Sequence, residues 1–178
     1  MFRSVDEYRA VFGFPVIDYY RRAGFDFTRE SFDDTAVEYH ALYYGENSSA
    51  ALFPRAAEIL GELQKAGYSQ CILSASESTK LLKQIKPFGI EKYFDEILGI
   101  SDILASGKIE TGRAYMERAK PGKALLVGDT AHDAETARAV GADCVLIAGG
   151  HQAKETLETT GAPVIGSLSE IINFLAAQ

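Results

Sequence analysis

The chain has 178 residues, 47% of them hydrophobic and 24% charged, with a net charge of −7 and a pI of about 5.0. This is the balance of one folded domain, or of a core with a small insert, and it excludes a disordered chain. Lys and Arg form no run, no apolar stretch reaches membrane length and no signal-peptide pattern is present, so the sequence proposes neither a nucleic-acid nor a membrane partner.

The first fifty residues read as helices rich in aromatics. Val5–Phe12, Val16–Ala23 and Thr28–Tyr44 carry helical spacing, separated by Gly13-Phe14-Pro15 and Gly24-Phe25-Asp26. Thr28 is the expected N-cap of the third helix, and Glu46–Ser49 the loop after it. Pro54 opens the next helix and Gly67 closes it. From there short apolar runs alternate with helices. A strand is expected at Ser69–Leu73, a helix at Glu77–Pro87, a strand at Phe94–Leu98 and a helix at Glu110–Ala119. A strand at Lys123–Val127, a helix at Ala131–Val140 ended by Gly141, and a strand at Asp143–Ile147 follow. Helices at Gln152–Thr159 and Ser167–Ala176 flank a short apolar piece at Pro163–Ile165. Such alternation predicts an α/β fold, a parallel sheet with helices on both faces. Cys71 and Cys144 sit singly inside apolar runs, with neither a disulfide framework nor a metal spacing, which fits a reducing cytoplasmic compartment.

The chemistry concentrates at the expected strand ends. Gly128-Asp129 closes one strand, and Asp133 lies in the first turn of the following helix. Ligand sites of open parallel sheets lie at the carboxyl ends of strands, and two close carboxylates suit a hard cation such as Mg²⁺. Ser74 ends another strand, where its hydroxyl and the following N–H of Ala75 are placed to bind a phosphoryl group. Lys108, in a Gly-containing loop before a helix, is placed to counter phosphoryl charge. Arg21 and Arg22, beside a Gly turn, are candidates for a distal acidic group of a substrate.

In this order the residues resemble the motif pattern of the haloacid dehalogenase-like superfamily. Ser74 matches its second motif, Lys108 its third, and Asp129 with Asp133 its fourth, in the form Gly-Asp-x-x-x-Asp. Ile109 stands where a Pro often follows the family's Lys. Gly-Asp-Thr at residues 128–130 is similar to the phosphoglycolate-phosphatase-like branch. The resemblance implies a Rossmann-like core over residues 52–178 and a helical cap over 1–51. It also implies hydrolysis of a small phosphorylated metabolite, with Mg²⁺ held by Asp129 and Asp133. Ser74 and Lys108 become catalytic groups, and Ser74, Ala75 and Lys108 ligands of the phosphoryl oxygens.

The family's first motif, an apolar strand ending in Asp-x-Asp-x-Thr, supplies the nucleophile. No such strand occurs in this sequence: Asp26-Phe27-Thr28 and Asp33-Asp34-Thr35 follow no apolar β run. The expectation is an amino-terminally shortened phosphatase, inactive as it stands. A non-enzymatic relative that binds a phosphorylated ligand or a protein, and a phosphomutase, are the alternatives. In the resembled fold the absent strand lies between the strands ending at Ser74 and Asp129. Those two are therefore expected to stand apart by two strand spacings, about 9.5 Å, without a direct ladder.

Overall fold

The computed structural model describes residues 2–43, 50–100 and 107–176. The expected end of the third helix at Tyr44, the loop at Glu46–Ser49 and residues 105 and 106 before Lys108 lie outside them. Helix α1 (Val5–Val11) is capped by Ser4, whose Oγ accepts the Glu7 N–H at 3.1 Å. Helix α2 (Val16–Arg22) follows a cis Phe14–Pro15 bond. Helix α3 covers Phe32–Tyr43 and not Thr28 onward. Asp26 Oδ1 accepts both the N–H and the hydroxyl of Thr28, at 3.0 and 2.7 Å, and holds Thr28 in a turn. Ser31 Oγ then takes the Asp34 N–H at 3.0 Å, as an N-cap does, so the helix starts one turn later than expected.

Helix α4 (Ala56–Lys65) begins after Arg55, whose φ of 60° keeps Pro54 outside the helix that it was expected to open. Strand β1 (Cys71–Glu77) runs past its expected end at Leu73. It pairs in parallel with β2 (Glu96–Ile100), Leu73 opposite Leu98 and Glu77 opposite Ile100, so Ser74–Ser76 form an irregularity in the ladder. The Glu77 side chain caps helix α5 (Ser78–Ile85), which gives way to a 3-10 turn at Lys86–Phe88 where Pro87 has no N–H to continue it. Helix α6 (Gly107–Ala119) begins before its expected start at Glu110 and takes Lys108 into its first turn.

Strand β3 (Leu125–Gly128), helix α7 (Ala131–Val140) and strand β4 (Asp143–Ile147) follow. Helix α8 (Lys154–Glu158), strand β5 (Val164–Ile165) and helix α9 (Glu170–Ala176) complete the order. The strands lie in two separate parallel sheets, β1–β2 and β3–β4–β5, with no ladder between β1 and β3 among the described residues.

The helices span both sheets. On α4, Leu60 packs into the cluster of Leu81, Ile85 and Ile90 beside Ile72 of β1 and Ile97 of β2. One turn on, Leu63 packs with Leu125 of β3 against the cluster of Val145, Ile147, Ile165 and Ile171. Gly112 of α6 lies where a Cβ would come to 3.0 Å from both Leu73 of β1 and Val140 of α7. Lys108 of α6 is paired with Asp133 of α7. The two sheets thus share a helical layer although their strands do not meet.

Candidate phosphoryl and cation site

The site starts from the end of β3. Gly128 is required there because any side chain would overlap the Asp133 carboxylate. Asp133 turns back under the start of α7 and gathers donors. Its Oδ2 accepts the Asp129 N–H at 3.0 Å, the Thr130 N–H at 2.9 Å and the Thr130 hydroxyl at 2.7 Å. Thr130 and Asp133 together form a capping box. Asp133 Oδ1 accepts from Lys108 Nζ at 2.5 Å. Burial alone would raise the Asp133 carboxyl. The Lys108 ammonium, the Thr130 hydroxyl and the Asp129 N–H outweigh it and hold the pKa below the usual value.

Lys108 was expected in a Gly-containing loop before the helix, countering phosphoryl charge. It lies on a helix instead, 9% exposed, with its ammonium on a buried carboxylate. Asp133 was expected to share a cation with Asp129. Its charge is answered by Lys108, and both of its oxygens are already accepting hydrogen bonds. Asp129 differs: Oδ2 accepts the His151 N–H at 2.8 Å, whereas Oδ1 accepts no hydrogen bond from the described residues. Among the described residues no group of three or more His, Cys, Asp or Glu is arranged to hold a metal ion. Of the two carboxylates expected to hold Mg²⁺, only Asp129 Oδ1 is left free of hydrogen bonds from the described residues, so water or phosphate would have to supply most of the ligands.

Ser74 Oγ accepts the Ser76 N–H at 3.1 Å within the ladder irregularity, and makes no hydrogen bond to Lys108 or Asp129. It follows Leu73, which abuts Gly112 one turn along α6 from Lys108. Ala75 is exposed. Arg21 and Arg22 do not join this network. Arg21 pairs with Asp18 at 2.7 Å, and Arg22 Nε donates to the Val11 carbonyl at 3.2 Å, tying α2 to the end of α1.

Sequence reasoning missed the contribution of α1 and of the loop after β4. Arg9 donates from Nε to the Gly150 carbonyl at 2.8 Å and from Nη2 to the Gly149 carbonyl at 2.5 Å. Tyr8 Oη meets His151 Nδ1 at 2.5 Å, and Phe12 stacks on the same imidazole with centroids 5.0 Å apart. Burial, then Tyr19, push the Tyr8 phenol up, which keeps its hydroxyl protonated. Buried Gln152 accepts the Ala131 N–H at 2.6 Å and donates to the Phe12 carbonyl at 3.2 Å. His132 packs on Phe14 with centroids 4.7 Å apart, and its Nε2 is buried without a hydrogen-bond partner among the described residues. The paired Gly149-Gly150 after an apolar strand was the available signal, since adjacent glycines permit close backbone approach.

The sequence profile of haloacid dehalogenase-like hydrolases matches residues 3–147. Tyrosine-protein kinase PtkA of Mycobacterium tuberculosis is 27% identical over 140 residues, covering 76% of this chain and 48% of that protein. The phosphoglycolate phosphatase of Vibrio parahaemolyticus is 28% identical over 154 residues, covering 83% of this chain and 64% of its own. The chain spans about half the length of the curated relatives it matches. Among solved structures, PtkA of M. tuberculosis superposes with a TM-score of 0.78 at 25% identity, over 98% of this chain and 83% of that one. A predicted phosphatase from Clostridium acetobutylicum gives 0.74 at 19% identity, over 91% and 76%, a likeness of fold. Among the described residues no helix is long and apolar enough to cross a membrane.

Proposed function

Given that the chain belongs to the haloacid dehalogenase-like hydrolase family, we propose that it carries the phosphoryl-binding and cation-binding part of a small-molecule phosphatase, phosphoglycolate-phosphatase-like in kind, and lacks the nucleophile. The observation that carries this reading is the continuous bridge from Lys108 through Asp133 to the backbone N–H of Asp129, the residue that follows β3. Lys108 brings a positive charge towards the strand ends, held in place by its pairing with Asp133. Ser74 and the Ala75 N–H contribute donors from the irregular stretch of β1, and residues 1–51 act as the cap over them. Asp129 Oδ1 is the oxygen offered to Mg²⁺, which when bound would neutralise phosphoryl oxygens. Asp133 acts behind it, positioning Lys108 and Asp129. The substrate class is a small phosphorylated metabolite.

The test is binding and turnover in the chain as it is. Orthovanadate or inorganic phosphate with Mg²⁺ should bind weakly, and Lys108→Met and Asp129→Asn should each abolish the binding. A generic aryl phosphate should not be hydrolysed. Robust Mg²⁺-dependent hydrolysis lost in Asp129→Asn would place a nucleophile within these residues and overturn the reading. The likeness to PtkA favours a second reading, phosphoryl transfer to a protein tyrosine. Label passing from ATP to a tyrosine-containing peptide, with no aryl phosphate hydrolysis, would select it.

A further inference from the structure

We propose that the Gly149–Gln152 loop, clamped by α1, is the positioning element of Asp129: it fixes Oδ2 and leaves Oδ1 as the outward oxygen. This rests on the reading of Asp129 as the cation ligand. The loop reaches the carboxylate in two ways. The His151 N–H donates to Oδ2 at 2.8 Å. Gly150 lies so close that any side chain would overlap the same carboxylate. A donor on one oxygen and a wall beside it select one rotamer of Asp129, which is how an outer partner tunes a metal-ligating carboxylate.

The loop is itself held from the far end of the sequence. Arg9 spans the two carbonyls of Gly149 and Gly150, and the Ala153 N–H donates to the Arg9 carbonyl at 3.2 Å, so α1 and the loop are tied in both directions. Tyr8 and Phe12 hold the His151 ring by its Nδ1 and its face. Gln152 joins the Phe12 carbonyl to the Ala131 N–H at the start of α7. Arg9 is a positioning residue two contacts away from the carboxylate: it holds the carbonyl of the Gly150–His151 peptide, whose own N–H donates to Asp129. The first helix is therefore part of the acidic site and not only a cover for substrate.

The His151 amide proton reports the contact directly by NMR, because a carboxylate acceptor moves it downfield, and Mn²⁺ binding followed by electron paramagnetic resonance reports its consequence. Arg9→Gln and Gly150→Ala should each move the His151 resonance towards its position in Asp129→Asn. Both should weaken Mn²⁺ binding by about 10-fold to 100-fold, the usual effect of losing an outer partner. Arg9→Lys should recover part of both signals. If Gly150→Ala does not fold, Arg9→Gln carries the test. Unchanged resonance and affinity in Arg9→Gln would mean that α1 merely packs on the loop, and would overturn the proposal. If the resonance moves as expected but the wild-type chain binds no Mn²⁺, the cation reading of Asp129 fails while the loop's hold on the carboxylate is upheld.

Discussion

The most consequential single contact is the buried pair of Lys108 and Asp133. Removing one partner of such a pair leaves an unanswered charge, which costs about 3–5 kcal/mol, more than the pair itself contributes. Lys108→Met should therefore lower the urea midpoint sharply, and adding Asp133→Asn should restore part of the loss; a double variant as unstable as the sum of its parts would contradict this. The pair also sets an acid limit. Asp133 titrates below its ordinary value of 3.8 in the folded chain, because Lys108 and its donors overcome burial. Its contribution is complete above the unfolded value and is lost as pH falls through the lower, folded one. Between pH 5 and pH 2 the wild type should lose more stability than Asp133→Asn, and parallel curves in urea titrations would refute the assignment. The two cysteines are the inert counterpart. Burial, with minor help from nearby acidic groups, pushes the Cys71 and Cys144 thiols up to about 11. Alkylation by iodoacetamide at neutral pH should be far slower than for an unfolded control, since the thiolate is the reactive form.

At the scale of elements, α7 shows what the sequence can say locally. Thr130 and Asp133 close its first turn and Gly141, at a φ of 74°, ends it, so both boundaries were legible. Thr130→Ala should cost about 1 kcal/mol of stability, the usual worth of an N-cap, and Thr130→Ser much less. Equal losses in thermal unfolding would show that the methyl group and not the hydroxyl matters. Other boundaries depend on competition or on distance. Thr28 and Ser31 both offer a cap, and only the Asp26 turn decides between them. The start of α6 brings Lys108 to a carboxylate 25 residues away. β1 extends through Ser74 because β2 continues beside it, a pairing that no local pattern records. The same division holds for the candidate site. Asp129, Asp133 and Lys108 were legible locally because they lie just after a strand end or in the first turn of a helix. Tyr8 and His151 were not, being 143 residues apart and joined only by the fold.

Across the whole molecule, the β1–β2 and β3–β4–β5 sheets are held by helices rather than by each other. Val127, in the middle of β3, is 42% exposed, which is unusual for a strand whose neighbours on β4 are buried. Unpaired strand edges are templates for another chain. If this edge recruits a second copy, light scattering should show concentration-dependent association that Val127→Lys reduces; no association in the wild type, or an unchanged profile in the variant, would refute this. Each sheet also has its own apolar cluster, one around Leu81, Ile85 and Ile90 and the other around Val145, Ile147, Ile165 and Ile171. Cooperativity in unfolding follows shared packing, and among the described residues the halves share α4 and the α6–α7 contact with its buried ion pair. The chain should therefore behave as two coupled foldons. In native-state hydrogen exchange at rising denaturant, amides of β1 and β2 should merge into one opening event while those of β4 stay protected until a second. A single isotherm for all three strands would mean that the helices alone suffice to make the halves melt as one.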